Sequence, residues 1–234
     1  MQQANFTNRL QGAAKNLALA VLLSWATLLH TPAASAQPQN VDGASAQEFV
    51  LAVLGDSLSA GYQLPEEASF PPVLQKRLRA AGHRVRVINA SVSGDTSTGG
   101  LARLDWALGD RVDAVIVELG ANDMLRGIEP AQTRKALDAI ISRIKAKGAK
   151  VLLAGMLAAP GMGKLYTEQF NAIYPDLARK HAIPLIPFFL EGVAARKEFN
   201  LGDGMHPNAK GVEIMVANAL PKVLTLIAPK TTAR

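Results

Sequence analysis

The chain has 234 residues, no cysteine and a formal charge of +6. Without cysteine there are no disulfides, no thiol nucleophile and no cysteine-ligated metal. The positive excess is spread along helical patterns rather than clustered, which is no nucleic-acid signature.

Residues 1–36 read as a secretory signal peptide. Arg9 and Lys15 make a basic start, Leu17 to Leu29 an apolar core, and Ala34-Ser35-Ala36 a small-x-small cleavage site. The apolar run is about 13 residues, short of the roughly 20 that span a bilayer. An uncleaved anchor is the competing reading. Cleavage predicts a periplasmic or secreted protein with no stable membrane insertion. Residues 37–47 are small and polar, a flexible leader, and 48–228 suit one domain with a sizeable core.

Five apolar segments then alternate with helical patterns: Phe49–Leu54, Val85–Asn89, Val112–Leu119, Val151–Met156 and Ile183–Phe188. Helices are expected near 66–81, 98–108, 130–147, 165–181 and 209–227, with Pro175 and Pro221 kinking or breaking the last two. Strict alternation predicts an α/β fold, a parallel sheet between two helical layers. Segments one, three and four are almost continuously apolar, as strands buried on both faces should be. Segment two alternates Arg84-Val85-Arg86-Val87, and segment five carries Pro184 and Pro187, which cannot donate to a ladder. Both belong at edges. That predicts the flavodoxin-like order 2-1-3-4-5. Glu118 is the odd residue in segment three, and its role is not legible.

Polar clusters follow the strands and never precede them. They are Gly55-Asp56-Ser57-Leu58, Ser93-Gly94-Asp95-Thr96, Gly120-Ala121-Asn122-Asp123 and Asp203-Gly204-Met205-His206-Pro207. In an open parallel sheet the ligand crevice lies at the carboxyl ends of the strands, so these clusters converge. Together they make a hydrolytic set. Ser57 supplies a hydroxyl, His206 a base and Asp203 a carboxylate to orient the imidazole. The Ser57 and Gly94 N–H groups with the Asn122 amide could form an oxyanion hole. Taken singly, Ser57 would be a helix cap, His206 a loop histidine, Asp203 a turn residue, Gly94 a hinge and Asn122 a cap. His83 and His181 both precede strands, at the wrong end to act as base. There is no paired-histidine metal spacing, no dinucleotide fingerprint, no phosphate loop with its lysine and no Gly-x-Ser-x-Gly elbow.

These four blocks resemble the SGNH, or GDSL-type, hydrolases, most of all their bacterial branch of arylesterases, acyl-thioesterases and lysophospholipases. The resemblance covers essentially all of the chain after residue 36. It maps the family's four name-giving residues onto Ser57, Gly94, Asn122 and His206, with Asp203 as the acid. It implies a cofactor-independent serine esterase acting on short-to-medium acyl esters, with small acyl thioesters and lysophospholipids within reach. The apolar, glycine-rich stretch 155–163 is expected to be a mobile wall of the acyl site, with Met156, Leu157 and Pro160 touching substrate. A deacetylase of sugars or peptidoglycan on the same fold is the alternative. A non-catalytic binding module and a nucleotide-binding flavodoxin-like protein are the other two. Oligomeric state is not legible.

Overall fold

The computed structural model describes residues 47–228. The expected signal peptide and all of the leader but Gln47 lie outside them. Five parallel strands form one sheet in the order β2-β1-β3-β4-β5. They are β1 (Phe49–Gly55), β2 (Val85–Asn89), β3 (Ala114–Glu118), β4 (Lys150–Ala154) and β5 (Leu185–Ile186). The expected strand order is the one found. Apolar continuity identified the inner strands: every residue of β3 is buried, and β1 is buried from Val50 onward. The edge strand β2 alternates between buried Val85 and exposed Arg86. β5 is cut to two residues by its flanking prolines, well short of the expected 183–188.

Nine α-helices join the strands among the described residues: α1 (Ser57–Ala60), α2 (Phe70–Ala80), α3 (Ser97–Ala102), α4 (Leu104–Leu108), α5 (Ala121–Leu125), α6 (Pro130–Ala146), α7 (Lys164–Asn171), α8 (Ile173–His181) and α9 (Ala209–Ile227). Pro130 opens α6, whose Leu137, Ile140, Ile141 and Ile144 form the buried stripe read from the sequence. Two of the expected helices divide, and a third runs on through its proline. The 98–108 segment divides at Arg103, leaving two short helices. The 165–181 segment divides at Ala172, which puts Pro175 in the first turn of α8, where its missing N–H costs nothing. Pro221 does not break α9, which runs on to Ile227. The short α1 and α5, each directly after an inner strand, carry the first and third clusters. Among the described residues no helix is long and apolar enough to cross a membrane.

Candidate active site

The clusters converge because β1 and β3 are neighbours in register, Gly55 lying beside Glu118. β1 ends at Gly55 and the chain turns at once into α1. Asp56 caps that helix, its carboxylate accepting the Leu58 N–H at 3.0 Å. Ser57 is thus the first helical residue, nearly buried, at the sheet's carboxyl end. A Cβ at Gly55 would lie 2.1 Å from Ser59 Oγ and 2.6 Å from Glu118 Oε2. Only glycine lets the turn settle against those groups.

The histidine comes from the loop between β5 and α9. His206 Nε2 lies 2.9 Å from Ser57 Oγ, and Nδ1 lies 2.6 Å from Asp203 Oδ2. Asp203 Oδ1 accepts the backbone N–H groups of Met205 and His206 at 2.9 and 3.0 Å. Those two backbone donors, with the imidazole, draw the Asp203 carboxyl down to about 2. The loop closes on itself through Leu201 N–H to His206 O at 2.7 Å and a bridge between Asn200 and Pro207. The Tyr62 ring packs over the imidazole with centroids 4.4 Å apart.

The oxyanion candidates lie in the loop after β2 and on α5. Gly94 has φ +85, a left-handed conformation that favours glycine, and nothing crowds it beyond the Arg126 guanidinium. Arg126 donates to Gly94 O at 2.8 Å. Asn122 Nδ2 donates to Asp56 Oδ2 at 3.1 Å and to Asp95 O at 3.0 Å. Both amide hydrogens are therefore engaged, and an oxyanion at Asn122 must share or displace one of them. The next residue, Asp123, is buried and accepts from Ser97 N–H (2.7 Å), the Ser97 hydroxyl and Thr133 Oγ1 (3.0 Å). It locks α5 to α3 and α6.

Several residues at the site were not picked out from the sequence. Arg103 ion-pairs with Asp95 at 2.6 Å and donates to Ala90 O (2.6 Å) and Gly55 O (3.2 Å). It ties the Gly94 loop to the end of β1. Asp56 links α1 to Asn122, and burial pushes its carboxyl up to about 6 against the lowering effect of its two N–H donors. The capping position of Asp56 was a usable signal. Arg103 reaches residues 8, 13 and 48 positions away across irregular loops, and Tyr62 meets His206 from a distant segment, so neither leaves a local pattern.

The acyl-wall residues divide. Met156 is buried in the core, whereas Leu157 and Pro160 are exposed. The stretch is pinned at its start: Gly155 N–H donates to Ile186 O at 2.7 Å and Ala158 N–H to Asn171 Oδ1 at 2.8 Å. His83 lies ahead of β2, and His181 bonds Asp138 at 2.5 Å at the end of α8, both apart from Ser57. A groove of about 620 Å³ lined by Pro130, Arg134, Lys135 and Glu168 includes no residue of this site.

Residues 53–214 match the model of the GDSL-like lipase/acylhydrolase family. The chain belongs to that family. An arylesterase of Vibrio mimicus is 46% identical over 168 residues, 71% of this chain and 84% of its own length. A thioesterase 1/protease 1/lysophospholipase L1 of Escherichia coli K12 is 42% identical over 175 residues, 74% of this chain and 82% of its own. A crystal structure of a protein named TesA superimposes with a TM-score of 0.73 at 41% identity, covering 76% of this chain and 99% of that one. The chain is accordingly a carboxylic ester hydrolase with the SGNH fold. The resemblance drawn from the four sequence blocks identified the family correctly.

Proposed function

We propose that this hydrolase is an exported serine esterase that works through an acyl-enzyme on Ser57. The observation that carries the reading is the continuous line Ser57 Oγ, His206 Nε2, His206 Nδ1, Asp203 Oδ2, with separations of 2.9 Å and 2.6 Å. As Ser57 attacks the acyl carbonyl, His206 takes its proton and Asp203 stabilises the imidazolium. The oxyanion rests on the N–H groups of Ser57 and Gly94, with one Asn122 hydrogen turning from its present acceptor. Each donor of this kind is worth about 3–4 kcal/mol in the transition state. The imidazolium then protonates the leaving alcohol or thiol. A water deprotonated by His206 releases the acid, and no step requires a cofactor.

The substrates we infer are short-to-medium acyl esters, with small acyl thioesters and lysophospholipids as further classes. The arylesterase and thioesterase/lysophospholipase names of its relatives support that range. Leu157 and Pro160, both exposed, are proposed to border the acyl group, and buried Met156 to back that wall from the core. Export is proposed on the pattern of residues 1–36, with a leader to 47 and the hydrolase domain over 48–228. The test is a profile of kcat/KM over chromogenic acyl esters of increasing chain length, run beside Ser57→Ala. We expect a maximum at short or medium chains and no turnover by the variant. Near-native activity of Ser57→Ala would overturn the reading.

A further inference from the structure

Glu118 is the last residue of β3 and is 1% exposed, beside the nucleophile turn yet outside the catalytic line. Its Oε2 lies 2.7 Å from Ser59 Oγ and 3.3 Å from the Asp56 N–H. Ser59 Oγ lies 3.0 Å from Ser91 Oγ, which lies 3.1 Å from Val53 O. Each hydroxyl has one hydrogen to give. Val53 O can only accept, so the Ser91 hydrogen points to it. For all three contacts to carry a hydrogen, Ser59 donates to Ser91, which spends the Ser59 hydrogen. The remaining 2.7 Å contact needs a hydrogen, and only Glu118 can supply it.

We infer that Glu118 is held as a neutral carboxylic acid and is a positioning residue for Ser57, its proton donated to Ser59 at the head of a hydroxyl chain ending on Val53 O. An ionised Glu118 takes the Ser59 hydrogen and leaves one of the other two contacts, Ser59–Ser91 or Ser91–Val53, without one. It also sets two negative charges side by side, because Asp56 accepts from two N–H donors and is suited to the ionised form. Burial, then the Asp56 charge, push the Glu118 carboxyl well above its ordinary range. The nearby cation, Arg103, is already committed to Asp95 and to two carbonyls.

The positioning follows from where the acid touches. Asp56 and Ser59 bracket Ser57, so one carboxyl braces the turn on both sides of the nucleophile. The missing side chain of Gly55 is what lets it lie there. The positioning role rests on the reading of Ser57 as nucleophile, whereas the protonation state does not.

The test is infrared spectroscopy of the intact protein at about pH 8, where ordinary carboxyls are ionised. The wild type should show the carbonyl stretch of a protonated carboxylic acid. Glu118→Gln should lose it, Asp56→Asn should keep it, and Ser59→Ala should shift it by removing the acceptor. In kinetics, Glu118→Ala should lower kcat by about 100-fold with KM nearly unchanged, and Glu118→Gln should recover most of that loss. Absence from the wild type of any such band that Glu118→Gln removes would overturn the neutral acid. A Glu118→Ala kcat within about threefold of wild type would overturn the positioning role. Should Glu118→Ala fail to fold, the Ser59→Ala shift and the Glu118→Gln kinetics decide. Turnover by Ser57→Ala would refute the nucleophile and leave the infrared result standing.

Discussion

The serine side of the site is buried and braced from several segments, whereas the histidine side is a more open turn that largely holds itself. Asp56, Ser57, Glu118 and Asp123 are all buried, and the side-chain bonds of the three acids join α1, β3, α3, α5 and α6. Asp203 and His206 keep 32% and 18% of their side chains exposed, and Asp203 is fixed by N–H groups two and three residues away. The nucleophile and its oxyanion donors must meet a carbonyl within a narrow geometry, which a rigid scaffold supplies. The base must also deliver water and release product, which favours access to solvent.

Substitutions can break this contrast. Asp203→Asn should cost the most after loss of Ser57, about 10³–10⁴-fold in kcat, because the imidazole loses the carboxylate that sets its tautomer. Its thermal stability should stay within about 1 kcal/mol of wild type, since an exposed pair contributes little. Asn122→Ala should cost less in kcat, about 10²–10³-fold. It should nevertheless destabilise the fold by about 1–3 kcal/mol, leaving buried Asp56 short of a donor. Thermal melts beside steady-state kinetics check both. Equal stability losses in the two variants would erase the distinction.

The two sides should also answer pH in opposite senses. The Asp203 carboxyl sits at about 2, below the ordinary carboxylate value of about 3.9. Its contribution to stability is present above about pH 4 and is lost as pH falls towards 2. Asp56 sits at about 6, above its ordinary value. Its contribution is fully present below about pH 4 and is lost as pH rises through 6. The melting-temperature gap between wild type and Asp203→Asn should therefore narrow on acidification below pH 4. The gap to Asp56→Asn should move against the wild type between pH 4 and 7. The smallest expected effect is Leu157→Ala, a change of about 1 kcal/mol or less in relative kcat/KM between short and medium acyl chains. An unchanged profile would remove Leu157 from the acyl wall.

Much of this molecule is legible in the sequence because its signals are local. Apolar continuity and the two prolines around β5 placed the inner and edge strands. The placement of four polar clusters after strands brought Ser57, Gly94, Asn122, Asp203 and His206 to one end of the sheet. Helix divisions were partly legible: Pro175 marked the break that falls at Ala172, whereas the break at Arg103 falls at a residue with no breaking chemistry of its own. Glu118 could be noticed as a charge inside an apolar strand but not explained. Its partners lie 59 and 62 residues away, and their arrangement depends on the β1–β3 register. The bracing by Arg103 and the double engagement of Asn122 are hidden for the same reason.

The central claim is that Ser57 carries the acyl group. The direct measurement is intact and peptide mass spectrometry of enzyme mixed with an activated acyl ester and quenched within the first turnovers, with an organophosphonate as a stable surrogate. We predict one acyl adduct, or one phosphonyl adduct, on the peptide containing Ser57, and none in Ser57→Ala. Continued hydrolysis with no adduct on that peptide, or an adduct on another residue, would contradict the account.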